Sequence, residues 1–449
     1  MIGSRTILLL SVAAACSVLA SLRADLWCTA YYAGWTQGRM PAADVDFSAL
    51  THVIHFSVIP NPDGTLDSAA NGLTPAHSSD AVTHAHAAGK RILICVGGAD
   101  SQSGFQAAAS AAQRATFVNS LTNFMVSRGY DGIDIDWEPL DASDQTLFTD
   151  LVHDLRAAMA SISPTPLLTA AVASQPALFA TLQGQFDQIN LMTYDLAGPW
   201  PGWVTWFNSP IYDGGYRFPS THGLIPSADG MLGTFLAAGI DPAKLAVGMA
   251  FYGVVWSGGA GFPAGGPTLP RQPWTSAPST TTVTFDTLMS TYYQPARYHW
   301  DTDAQAAYLS IDSPTAGDDR FVSYDDAHSC QAKVSYARNQ HLGGVMIWEL
   351  GTGYRPTQPS GLRDPLLQAV KASLATPSIT RVEIAGSEVQ LAFTALPLAS
   401  YRVEWTTNLP STSWNTLTNL ASDASGELQA VDQLPFAKEH RFYRVLIAP

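Results

Sequence analysis

Residues 130–139 read Tyr-Asp-Gly-Ile-Asp-Ile-Asp-Trp-Glu-Pro. Asp134, Asp136 and Glu138 are spaced by two, and Ile133, Ile135 and Trp137 alternate with them. In a strand, residues i, i+2 and i+4 share one face. Three carboxyls therefore line up on one side of an otherwise apolar segment. Pressed against a helix layer, that row would leave unpaired charge in an apolar medium at a prohibitive cost. A solvated edge strand would carry scattered Lys or Thr on its wet face, not three acids in a row. The row must face a polar cavity, and the C-terminal mouth of a barrel provides one. Like charges this close cannot all ionise, so at least one carboxyl keeps a proton near neutral pH. A protonated carboxyl at such a mouth is suited to general acid chemistry. Glu138, with the longest side chain and the position nearest the mouth, is the candidate donor. Asp136 and Asp134 share proton and charge behind it.

Working outward, short apolar runs occur at Cys28–Tyr32, His52–Ile59, Arg91–Val96, Gly132–Trp137, Leu167–Ala173, Gln188–Tyr194, Leu245–Ala250 and Gly344–Trp348. Helical patterns lie between many of them, at Ser78–Gly89, Gln106–Arg128, Asp144–Ser161, Ser227–Ala238 and His328–Gln340. Continuous apolar strands alternating with helices predict a (β/α)8 TIM barrel. A doubly wound open sheet is the structural alternative, but no GxGxxG follows the first strand. The alternation stops between Gly253 and Tyr324, which predicts an α+β insertion at about 254–322, after the seventh strand. Beyond Leu374, strand-like runs recur at Arg381–Ile384, Val389–Phe393, Tyr401–Thr406, Trp414–Leu420, Leu428–Val431 and Arg441–Ile447. They predict a small all-β sandwich of the fibronectin or immunoglobulin type over 378–449, joined to a catalytic barrel over 25–374.

The chain has 449 residues, 46% hydrophobic and 13% charged, which excludes a disordered chain and supports a large core. The net charge of −14, with no basic cluster, argues against a nucleic-acid partner. Arg5, the apolar run Ile7–Ala20 and the small residues around Ala20 and Ala24 read as an export signal over residues 1–24. No other stretch is apolar enough to span a bilayer. The expectation is a secreted or periplasmic monomer, with no membrane contact once the signal is removed. Cys28, Cys95 and Cys330 then remain, an odd number that cannot pair fully within one chain. Their spacing suggests no metal site.

The string from Asp131 to Glu138 resembles the DxxDxDxE signature of family 18 glycoside hydrolases, the chitinase family. Further strings are similar to the family's barrel strands: YYAGW at Tyr31–Trp35, ICVGG at Ile94–Gly98 and MTYD at Met192–Asp195. KLAVGMAFYG at Lys244–Gly253, SYDD at Ser323–Asp326 and GGVMIWELG at Gly343–Gly351 complete the set. The resemblance covers roughly Asp25–Leu374. It implies a retaining, substrate-assisted hydrolysis of β-1,4-linked N-acetylglucosamine, with chitin or chitooligosaccharides as the partner and no cofactor. By the resemblance, Glu138 donates the proton, Asp136 orients the acetamido group, Asp134 tunes Asp136, and Tyr194 hydrogen-bonds the acetamido carbonyl. Trp348 forms the floor. Tyr32, Gly98, Trp137, Met192, Asp195 and Tyr252 are counted with Trp348 as substrate-binding, although Trp137 alternates away from the acids. Asp131, out of phase with the other acids, reads as structural.

The chain departs from the family pattern at Cys95, where Ser is usual, and at Ala99 and Pro139, where aromatics are common. Thr352 stands where Asp is frequent. Trp200, Trp203, Trp206, Trp256 and Trp274 suit either sugar stacking or loop packing, and Trp405 and Trp414 either a stacking pair or sandwich core. The leading expectation is a chitinase. The alternatives are an endo-β-N-acetylglucosaminidase acting on N-glycans and a non-catalytic chitin-binding lectin. Lectin-like relatives usually lack the donor carboxylate, which this chain has.

Overall fold

The computed structural model describes residues 26–375 and, beyond them, 379–385, 388–395, 400–408, 413–422, 427–433 and 441–447. The expected export segment, residues 1–24, lies outside the described residues. Two compact units emerge, one over Leu26–Lys371 and one from Ala372 onward.

The first unit is a closed barrel of parallel strands with helices around it. In order the strands are Trp27–Ala33, His52–Pro60, Arg91–Gly98, Gly132–Trp137, Leu167–Val172, Gln188–Leu191, Leu245–Ala250 and Gly344–Trp348. Each pairs with the next, and the eighth closes on the first through Trp27↔Gly344 to Ala30↔Ile347. The fourth strand is buried at every position. Its Ile133, Ile135 and Trp137 meet the helix layer, so its acids have only the barrel interior left to face. The helix Gln145–Met159 illustrates that layer: Phe148, Leu151, Val152, Leu155 and Met159 fall on one buried stripe at helical spacing. A reciprocal capping box between Asp141 and Asp144 starts it.

Two elements differ from expectation. The sixth strand ends at Leu191, before Tyr194. Thr193 leaves the ladder because its hydroxyl donates to Gly248 O at 3.0 Å and accepts from Gly248 N at 2.9 Å. The helix read at Gln106–Arg128 is two helices, Gln102–Ala108 and Arg114–Arg128. Between them Gln113 N donates to Ser110 O in a turn, and Arg114 reaches back to Ala109 O at 3.3 Å.

The insertion is a five-stranded antiparallel sheet between the seventh and eighth barrel strands. Its strands are Tyr252–Ser257, Ser279–Thr284, Tyr298–Asp301, Ala306–Ile311 and Arg320–Tyr324. Arg271 ties the loop after the sixth barrel strand to this sheet. It pairs with both carboxylate oxygens of Asp301 and lies 3.9 Å over the Tyr216 ring. Lys333, fully buried, reaches Asp325 at 2.6 Å and Ser209 at 2.5 Å, and Asp325 also accepts from Ala250 N at the end of the seventh strand. Cys28, Cys95 and Cys330 are all buried and free.

The second unit holds two three-stranded antiparallel sheets, built from Ile379–Ala385, Glu388–Thr394 and Glu427–Gln433, and from Asn415–Ala421, Ser400–Thr406 and Phe442–Ile447. Val389, Leu391, Phe393 and Ala430 of one sheet share a core with Tyr401, Val403 and Tyr443 of the other, which is a sandwich. Trp405 lies under Arg441 at 3.9 Å and Trp414 under Arg444 at 4.2 Å, so a guanidinium already covers one face of each ring.

Removing one partner of a buried ion pair strands the other charge, at about 3–5 kcal/mol. Lys333→Met should therefore lower the unfolding free energy of the barrel by that amount, seen in urea unfolding as a lower midpoint at unchanged slope. An unchanged midpoint would show that the Lys333–Asp325 pair is dispensable.

Candidate active site

The fourth strand delivers two acids into the barrel and one to its rim. Asp134 and Asp136 are buried, and Glu138, just past the strand end, is half-buried. The register with the third strand sets Cys95 beside Asp134 and Gly97 beside Asp136. Gly97 (φ +107°) is held to glycine, because a Cβ there would collide with the Asp136 carbonyl. Ser101 pins the end of the strand, donating to Asp136 O and accepting from Glu138 N, both at 3.3 Å.

Three donors converge on Asp134: Thr169 Oγ1 at 2.5 Å, the Tyr31 hydroxyl at 2.9 Å and the Cys95 thiol. Burial nevertheless pushes its carboxyl up to about 6. Asp136 is driven well above the carboxylate range, first by burial and then by the charges of Glu138 and Asp134. Its Oδ1 is buried and meets no hydrogen-bond partner among the described residues. Burial also raises Glu138, and the charges of Asp195 and Asp100 add to this, while the hydrogen bond with Asp136 opposes it. Burial thus raises both members of this hydrogen-bonded pair, and the deeper Asp136, which also feels the charges of Glu138 and Asp134, is pushed well above the carboxylate range.

Opposite the acids is an apolar floor. Around the barrel the eighth strand lies across from the fourth, so Trp348 faces the Glu138 side. Its ring meets Phe56 edge-on at 4.7 Å and Tyr31 at 5.3 Å, and Phe56 in turn meets Trp35 at 5.5 Å. The segment just after the sixth strand contributes Met192, Tyr194 and Asp195. Tyr194 fits because the seventh strand has Gly248 beside it; a Cβ there would lie 2.9 Å from the phenol ring. Asp195 has φ +55°, an uncommon backbone for a non-glycine residue, and accepts from the Tyr252 hydroxyl at 2.5 Å. These groups enclose a cleft of about 290 Å³ with Gly98, Ala99, Asn71, Ile59 and Ala171 on its walls.

Among the expected site residues, Glu138, Asp136, Tyr194, Met192, Asp195, Gly98 and Trp348 line this cleft, and Asp134 lies directly beneath through Tyr31. Tyr252 stands behind Asp195. Two do not come to the cleft. Trp137 turns to the helices and stacks on Phe105 at 4.5 Å. Tyr32 points outward, donating to Met40 O at 2.5 Å. Both follow from the period of two: Trp137 is out of phase with the acids, and Tyr32 is out of phase with Tyr31. Polar Thr29, bonded inside the barrel to Gln188 at 2.7 Å, marks the inward phase of the first strand and so pointed to Tyr31. Asp131 is structural, held by Arg91 at 3.1 Å and His86 at 2.9 Å. Trp206 in the loop after the sixth strand and Trp256 in the insertion sheet are core, and Trp200 is 47% exposed. An aromatic floor facing a shared acid proton, with a phenol and a carboxylate at the side, suits protonation of a leaving group on a flat ring substrate such as a sugar.

The sequence model of Glycosyl hydrolases family 18 matches residues 28–353. Chitinase A1 of Niallia circulans is 29% identical over 394 residues, spanning 78% of this chain and 53% of that protein's own length. Chitotriosidase-1 of Mus musculus is 28% identical and spans 78% of each. Among solved structures, a Group IV chitinase of Ostrinia furnacalis in complex with allosamidin matches with a TM-score of 0.66 at 22% identity, over 78% of this chain and 100% of that one. A likeness at that identity speaks to the fold, a barrel of the same kind.

A carboxyl raised on folding binds its proton more tightly in the folded chain than in the unfolded one. Its stabilising contribution is complete below the ordinary carboxylate value and is lost as pH rises through the folded value. For Asp134 the window runs from about 4 to about 6. Asp134→Asn cannot ionise, so it should gain on the wild type by up to about 3 kcal/mol as pH rises from 4 to 7. Unfolding free energies across that range test this; a difference independent of pH would contradict it.

Proposed function

Because the chain belongs to the glycosyl hydrolases of family 18, we propose that it is a chitinase, cleaving β-1,4 linkages between N-acetylglucosamine units with net retention. The observation that carries this reading is the hydrogen-bonded pair of buried Asp136 and rim-placed Glu138, both carboxyls raised by burial and both lining one cleft with Trp348; in the proposed cycle the pair holds one proton, resting on Asp136. Glu138 takes that proton from Asp136 and gives it to the glycosidic oxygen as the bond to the anomeric carbon breaks. The carbonyl oxygen of the sugar's own acetamido group bonds to that carbon from the opposite face, so the chain needs no carboxylate nucleophile. Asp136, now ionised, accepts the acetamido N–H through an oxygen that has no other partner. This stabilises the positive ring that forms. Tyr194 donates to the acetamido oxygen. Glu138, left ionised, then removes a proton from the water that reopens the ring, and the cycle closes.

The dry setting favours this route. Buried acids are pushed toward the protonated form, and an acid that gives up its proton only on ligand binding is ready near neutral pH. Export through residues 1–24 belongs to the same proposal, as chitin is an extracellular polymer.

Glu138→Gln should lower the turnover of chitooligosaccharides by about a thousandfold while leaving their calorimetric affinity within a few-fold of wild type. Undiminished turnover would remove Glu138 from the donor role. Wild-type protein that binds but never cleaves would favour the lectin reading. Activity confined to a high-mannose glycoprotein would favour the endo-β-N-acetylglucosaminidase reading.

A further inference from the structure

Glu138 stands just outside the barrel ladder. Trp137 is the last residue of the fourth strand to pair with the third, opposite Gly98, and Ile135 is the last to pair with the fifth, opposite Ala170. Pro139 follows, with no N–H to carry a ladder further. The backbone of Glu138 therefore has to find its partners elsewhere. It finds them at the start of the short helix Gln102–Ala108. Ser101 Oγ accepts from Glu138 N at 3.3 Å, and Gln102 N donates to Glu138 O at 3.0 Å. That helix is itself seated on the barrel: Phe105 stacks on Trp137 at 4.5 Å, and a Cβ on Gly104 would fall on the Pro60 carbonyl at the end of the second strand.

The same helix holds the far end of the loop that Glu138 begins. Asp144 is buried and plays no part in the chemistry above. One of its oxygens accepts from Gln102 Nε2 at 2.9 Å and from Asp141 N at 3.0 Å, and the other accepts from Gln106 Nε2 at 2.7 Å. The second proton of Gln102 Nε2 goes to Asp141 Oδ2 at 2.8 Å. Gln102 thus bonds Glu138 through its backbone, and Asp141 and Asp144 through its side chain. Residues 138–141 are fastened at both ends to one residue.

The middle of the loop is gripped from the other side. Leu140 O accepts from Ser174 Oγ at 2.9 Å and from Gln175 Nε2 at 3.2 Å, and Gln175 Oε1 in turn accepts from Gln145 Nε2 at 2.8 Å. Gln175 has φ +63°, an uncommon backbone for a residue with a side chain. A carboxyl carried on such a loop cannot drift without breaking several of these bonds. A general acid gains from that, since a misplacement of about 1 Å can cost about a hundredfold in rate.

We propose that Asp144 is a positioning residue, which acts through Gln102 to hold the Glu138 carboxyl at the oxygen it protonates. This rests on the glycosidase reading above. Asp144 lies outside the cleft wall, so it touches neither the sugar nor the reacting atoms. Its influence falls on proton donation, and donation matters in proportion to the leaving group's need for a proton. A sugar leaves as a strongly basic alkoxide unless it is protonated, whereas a dinitrophenolate leaves readily as the anion.

Two leaving groups separate this role from a merely structural one. The quantity to measure is kcat/KM, which covers the steps up to bond breaking, on chitooligosaccharides and on the dinitrophenyl β-glycoside of chitobiose. Asp144→Ala should lower it about thirtyfold on chitooligosaccharides and by no more than about twofold on the dinitrophenyl glycoside. Gln102→Ala, at a half-buried position, should show the same split with a smaller loss, and it carries the test alone if Asp144→Ala does not fold. With both substrates cleaved by the wild type, an equal loss on the two, or an undiminished rate on chitooligosaccharides, overturns the role of Asp144 and leaves the glycosidase reading standing. Wild-type protein that cleaves neither substrate takes down both.

Discussion

Desolvation of like charges on one strand is the constraint on which the site depends. Asp134 and Asp136 sit inside a barrel whose other inward groups are mostly apolar, and Glu138 sits at its rim. A carboxylate without a partner in such a place would be expelled or neutralised. The chain uses both remedies. Asp134 receives three donors, from the first, third and fifth strands, which close the barrel around it. Asp136 has no partner at its buried Oδ1 among the described residues, and burial with the charges of Glu138 and Asp134 pushes its carboxyl toward the protonated form. Under the proposed function, this difference between the two acids sets up the transfer to Glu138.

The strand that carries the acids was legible because its two faces obey opposite rules. Ile133, Ile135 and Trp137 belong under helices, so the acids turn to the other face, and eight such strands separated by helices fit a closed barrel whose interior takes that face. The same alternation, applied more strictly, would have kept Trp137 and Tyr32 out of the cleft and brought Tyr31 in. What the sequence could not show was contact between distant segments. Phe56 carries no chemical signature of its own; it matters because the second strand sets its ring against Trp348 and Trp35. Nor could spacing rank the acids by proton affinity. That depends on how far each one is from water, which only the closed barrel defines.

The departures from the family pattern now have places. Cys95 faces Asp134 as a third donor, a weak one beside the hydroxyls of Thr169 and Tyr31. Ala99 lies on the cleft wall without an aromatic ring, and Pro139 is exposed. The aromatic surface that remains in the cleft is supplied by Trp348, Phe56, Tyr31, Trp35 and Tyr194.

The sharpest test is the configuration of the sugar at the instant of release. Proton NMR of a chitooligosaccharide digest, recorded before mutarotation, reads the new anomeric centre. Attack by the substrate's acetamido group, followed by water on the same face as the departed group, yields the β-anomer first. Initial accumulation of the α-anomer would mean direct displacement by water, and would contradict attack by the substrate's own acetamido group.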